Sequence, residues 1–107
     1  MIILTAREQV YNDIWEETMK TYPKMKELQW DLNKPRQNLI NILEQGKIQY
    51  LDLLPYFMEY ANETGKYLHY RYDGHWNIEG HHLAGKTIYK WLMSQNMVPK
   101  NNFVDRE

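Results

Sequence analysis

The chain has no cysteine. That absence excludes disulfides, a cysteine nucleophile and thiolate metal ligands, and it leaves the redox compartment open, because a chain without cysteine can live in either. Long apolar runs are missing as well. Nothing approaches the roughly 20 residues a membrane helix needs, and the first residues carry no basic flank ahead of a long apolar stretch. No membrane span is expected. Neither sign of charge dominates, with 13 Lys and Arg against 14 Asp and Glu and a formal net charge of −1. The basic residues are scattered rather than striped, so a nucleic-acid partner finds no electrostatic footprint. Only 5 Gly and 4 Pro occur in 107 residues, which sets aside collagenous and low-complexity classes.

Hydrophobic residues make up 43% of the chain and charged residues 25%, the balance of a globular domain. A chain of this length buries roughly two-thirds of its unfolded surface, enough for one core. Aromatic residues reach 14%, and 9 are tyrosines. A tyrosine buries its ring and keeps a polar tip, so such a set suits half-buried grooves and interfaces as well as core edges.

Met1, Ile2, Ile3 and Leu4 form a continuous apolar run, expected to be a parallel strand covered on both faces. Thr5, Ala6, Arg7 and Glu8 follow with the spacing of a capping box. Val10, Tyr11, Ile14, Trp15, Met19 and Tyr22 then recur at helical intervals until Pro23 stops them. A second helix is expected between the cap Asn33, with Pro35 in its first turn, and Gly46 just past its end. Residues 47–53 alternate and read as the next strand. Residues 54–64 read as a short helix opened by Pro55 and closed by Gly65, and residues 66–72 as an aromatic connector or short strand. The last helix runs from about Asn77 to Asn96, with Leu83, Ala84, Ile88, Trp91 and Leu92 on one face. A polar tail, residues 98–107, follows. Strands alternating with helices predict an α/β domain with parallel strands and helices on both faces. A strand apolar on both sides at residue 1 is expected of a piece of something longer, whose open edge would seek a missing N-terminal half or a second copy.

The chemistry is concentrated in one stretch. Asp73 and His75 lie two apart, so in an extended loop the carboxylate can accept the imidazole N–H and fix its tautomer. Gly74 allows a tight backbone between them. Asn77 is placed to cap the following helix, which puts the pair in a loop before a helix N-terminus, where α/β proteins keep their active sites. Tyr67, Tyr70 and Tyr72 alternate beside this loop and are a possible substrate groove. Tyr11, Trp15, Trp91, Tyr56, Phe57 and Tyr60 are expected in the core. His69, His75, His81 and His82 invite a zinc reading, but His81 and His82 point about 100° apart on a helix, so at most one joins His75 and no third ligand is evident. No metal and no cofactor are expected.

The run Asp73, Gly74, His75, Trp76, Asn77, followed by Glu79, Gly80, His81, Leu83 and Ala84, resembles the C-terminal block of SGNH/GDSL-type serine hydrolases. It is most similar to the Asp-x-His-Trp variant of acyl-esterase-like and alginate O-acetyltransferase-like relatives. The opening residues 2–11 look similar to the strand and helix that precede that block. The resemblance implies that residues 1–97 are the C-terminal part of a three-layer α/β/α, flavodoxin-like fold with a short parallel sheet. It also implies an ester hydrolase or O-acyltransferase acting on an acylated carbohydrate or another ester, and a cell-envelope or secreted setting. Asp73 and His75 would then serve a serine, with Gly74, Trp76 and Asn77 bracing the loop. The family's Gly-Asp-Ser block and its oxyanion Gly and Asn blocks are absent from this chain, and neither Thr87 nor Ser94 sits on a strand-to-helix elbow. The chain alone is therefore expected to be inactive. The competing expectation is a non-catalytic α/β module that binds a glycan or protein partner.

Overall fold

A computed structural model describes residues 1–97; the expected polar tail lies outside the described residues. The apolar run at the start becomes strand β1 (Ile2–Ile3), which pairs in parallel with β2 (Leu51–Asp52), Ile2 opposite Leu51 and Ile3 opposite Asp52. The pairing is extended at its ends by the Leu51 and Leu53 N–H groups, which donate to the carbonyls of Met1 and Ile3 at 2.9 and 3.2 Å. Between the strands run helices α1 (Arg7–Val10), α2 (Asn12–Thr21) and α3 (Lys34–Gln45), with a 3-10 turn at Pro23–Glu27; α4 (Leu54–Thr64) and α5 (Ile78–Ser94) follow β2. The described residues thus form a mixed α/β arrangement, five helices around a two-stranded parallel sheet. None of these helices is long and apolar enough to cross a membrane.

Alternation along the strands splits the core in two. Ile3 packs with Ile40 and Leu43 of α3, whereas its neighbour Ile2 packs against a larger cluster of Tyr11, Ile14, Leu51, Leu53, Phe57, Leu68 and Ala84. Successive side chains of a strand point to opposite faces, so helices cover both sides of this small sheet. Asp52 follows the same rule. It points to the α3 face, where Arg36 donates to it at 2.6 Å, and its other oxygen takes the Leu54 N–H at the start of α4.

Four local expectations are corrected. The strand foreseen over residues 47–53 shortens to Leu51–Asp52 because β1 itself pairs over only two residues. Leu4, expected inside, is 63% exposed. The capping box shifts by one residue: Gln9 Oε1 accepts the Ala6 N–H at 3.0 Å, and Thr5 is free to turn elsewhere. The single helix expected through Val10 and Tyr22 is also broken. Tyr11 is extended, with φ −117° and ψ 115°, and this places its ring in the core instead of on a helix surface.

Candidate functional site

The connector after α4 folds back on itself as a narrow hairpin. His69 and Trp76 form an antiparallel bridge, and inside it the Tyr70 N–H donates to the His75 carbonyl at 2.8 Å. Gly74, at φ +86°, makes the turn in a region that other residues enter only with strain. Below the bridge the hairpin is joined to α5. Asn77 is the cap of that helix: its Oδ1 accepts the Gly80 N–H at 2.9 Å, and its Nδ2 donates to the Tyr67 carbonyl at 2.8 Å. Gly80 permits the closest approach of all. A Cβ at this position would stand 2.0 Å from the Leu68 carbonyl oxygen, so only glycine lets helix and hairpin meet there. Trp76 fills the space beneath, 5.5 Å from the Phe57 ring and 5.5 Å from the His81 ring.

At the tip the Asp73 carboxylate contacts His75 Nδ1 directly and also accepts the His75 backbone N–H at 3.3 Å. The hydrogen bond from the His75 ring, helped by that from its backbone, holds the Asp73 carboxyl below the usual carboxylate range, and Arg7 adds a smaller pull. The pair faces solvent, with the His75 side chain 83% exposed. A carboxylate on Nδ1 leaves Nε2 as the ring's outward nitrogen. Arg7 steadies the tip from α1 by donating to the Arg71 carbonyl, and the Arg71 guanidinium is in turn gripped by Glu17 of α2 at 2.6 Å.

The three tyrosines separate. Tyr70 and Tyr72 border a shallow depression with Arg71 and Asp73, Tyr72 being 85% exposed. Tyr67 does not join them. Its hydroxyl donates to Asp13 on α2 and its ring lies 4.8 Å from that of Tyr11, so it ties the hairpin base to the helices. The expected three-tyrosine groove is therefore a two-tyrosine edge. Thr87 is buried in α5, and Ser94 donates its hydroxyl to the Trp91 carbonyl at 2.8 Å. Among the described residues no three His, Asp or Glu side chains gather where they could hold a metal ion.

Sequence reasoning missed a second polar chain at the hairpin base. Tyr11 accepts the Leu68 N–H at 2.5 Å and stands 2.9 Å from His69 Nδ1, while His69 Nε2 is 3.2 Å from Thr5 Oγ1. His69 Nε2 also lies 3.4 Å from the Thr5 carbonyl, which can only accept, so Nε2 carries the ring proton and donates to Thr5, and the bare Nδ1 accepts the Tyr11 hydroxyl. Burial lowers the His69 pKa and raises that of Tyr11, so both stay neutral. Thr5 does sit between a strand and a helix, but it accepts a hydrogen bond from the His69 ring N–H and, among the described residues, meets no base that could take its own proton. This trio is a brace and does not activate a nucleophile. Comparisons with protein-family models, with curated proteins and with solved structures find no match for the chain.

Proposed function

We propose that this chain is the Asp/His-bearing part of an SGNH/GDSL-type ester hydrolase or O-acyltransferase, with the nucleophilic serine supplied from outside it. The observation that carries this reading is the contact of Asp73 with His75 Nδ1 at an exposed tip, which leaves Nε2 free to meet a hydroxyl on another segment. In the mechanism, the serine proton passes to Nε2 as the serine oxygen attacks the ester carbonyl. His75 then returns the proton to the leaving alcohol, and Asp73 holds the tautomer and offsets the charge of the imidazolium. Oxyanion donors come from the segment that brings the serine. In this reading the two-stranded sheet and its helices are the C-terminal part of a three-layer α/β/α sandwich, and the partner is the missing N-terminal half.

The test uses the product of the longer coding sequence next to the present chain. The longer product is expected to hydrolyse p-nitrophenyl acetate, to be labelled by a fluorophosphonate at a serine outside these residues, and to lose at least about a hundredfold in rate on His75→Ala. The present chain alone should turn over aryl esters no faster than free imidazole. Turnover by this chain that vanishes on His75→Ala would place a nucleophile within it. A longer product indifferent to His75→Ala, or a coding sequence with no serine block, overturns the reading.

A further inference from the structure

Helix α1 sends Arg7 to the hairpin and Glu8 and Gln9 to a different concavity. There Trp15 of α2 meets Trp30, from the segment leading into α3, edge to face at 6.0 Å between ring centres and 76° between planes. Trp30 is fixed in place, its indole N–H donating to the Met25 carbonyl at 2.7 Å, and yet it is 46% exposed. A large ring held still and left half in water gains little from burial within its own chain. The cleft it walls measures about 1070 Å³, at the top of the range for small-molecule sites, which suits an extended ligand better than a compact one.

The rim specifies the ligand's chemistry. Gln29 and Asn38 line the cleft, and among the described residues neither side-chain amide has a protein partner. Each offers two donors and an acceptor in one plane. Asp31 adds a carboxylate with one oxygen on the Asn33 N–H and the other uncommitted. Glu8 is neutralised by Arg7 at 3.0 Å and Asp31 stands with Lys34, a balance of charge that suits a neutral ligand. A pyranose ring has what this lining lacks: a flat patch of weakly positive axial C–H bonds for the face of an indole, and paired hydroxyls at its edge for a planar amide or carboxylate.

We propose that the Trp15–Trp30 cleft binds a neutral saccharide chain, one sugar ring stacked on Trp30 and its hydroxyls held by Gln29, Asn38 and Asp31. The proposal does not rest on the Asp73/His75 reading, because binding here requires no turnover. A polyproline segment also docks on aromatic ridges, but it has no hydroxyls to engage the rim amides.

Amide NMR of the nitrogen-labelled chain, titrated separately with cellohexaose, mannohexaose, chitohexaose and decaproline, decides it. At least one hexaose should give saturable shifts that include the Gln29 and Asn38 side-chain amides. Trp30→Ala should weaken that binding at least tenfold. Since that variant can disturb the fold, Asn38→Ala serves as the second, a change compatible with helix α3 that should weaken binding at least threefold. Saturable shifts lost in these variants support the proposal. It is overturned by the absence of saturation with every hexaose up to about 10 mM; by binding that Asn38→Ala leaves unchanged; or by a response to decaproline alone.

Discussion

The two histidines of one hairpin could hardly differ more in setting. His69, at the base, is 3% exposed, neutral, and bonded through both ring nitrogens to Tyr11 and Thr5. His75, at the tip, has 83% of its side chain in water and one nitrogen on Asp73. The first arrangement removes a titratable ring from solvent and uses it to tie β1, the α1–α2 break and the hairpin together. The second keeps the ring available and orients it with a single carboxylate. A buried histidine with every group satisfied belongs to the architecture, whereas an exposed one held by a single acid is suited to proton transfer. Position in the hairpin decides which is which.

That division can be broken most sharply at the base. Gly80→Ala drives a methyl group to within 2.0 Å of the Leu68 carbonyl. Overpacking against backbone is expected to cost about 3 kcal/mol, read from urea denaturation midpoints, because the hairpin and the start of α5 must part. Wild-type stability in this variant would mean that the base is not the rigid element described here.

The next effect is a dependence on pH. The folded pKa of His69 lies below its unfolded value of about 6.5, so the unfolded chain binds the proton more readily. The stability that His69 contributes is therefore complete above that pH and is lost as the pH falls from about 6.5 through the lower folded value. Denaturation midpoints collected between about pH 8 and 5 should fall toward acid, and His69→Gln should flatten that slope. A slope unchanged in His69→Gln would assign it to another group.

The smallest effect belongs to the tip. His75→Ala and Asp73→Asn alter exposed side chains outside both core clusters and should change stability by no more than about 0.5 kcal/mol. Should either variant destabilise the chain as much as a base variant, the contrast between the two histidines would collapse.

What the sequence made legible follows this same division. Helices α3, α4 and α5 were readable because their signals are local: Asn33, Pro35 and Gly46; Pro55 and Gly65; and the Asn77 cap. The contact of Asp73 with His75 was readable for the same reason, two residues and a glycine apart. The break at Tyr11 was not, since the helical spacing continues across it and the competing bonds come from Leu68 and His69, 57 and 58 residues away. His69 showed no sign of burial because its other partner, Thr5, lies 64 residues off. Tyr67 was misplaced among the groove residues because Asp13, which takes its hydroxyl, lies on α2 and not in the hairpin. Gly80 did carry a readable sign. A glycine in the first turn of a helix, where alanine would be better tolerated, marks a close backbone approach.

The bonds that shape the hairpin base run largely within residues 67–80: Asn77 to Tyr67, Gly80 to Asn77, Asn77 to Leu68, Tyr70 to His75. A segment that completes so many of its own bonds is a transplantable cassette. Grafted ahead of another helix that begins with the Asn77 and Gly80 pair, it would need from its host partners for the Leu68 N–H and for both ring nitrogens of buried His69, as Tyr11 and Thr5 provide here, and an apolar floor for Trp76. The exposed acid–imidazole pair would travel with it.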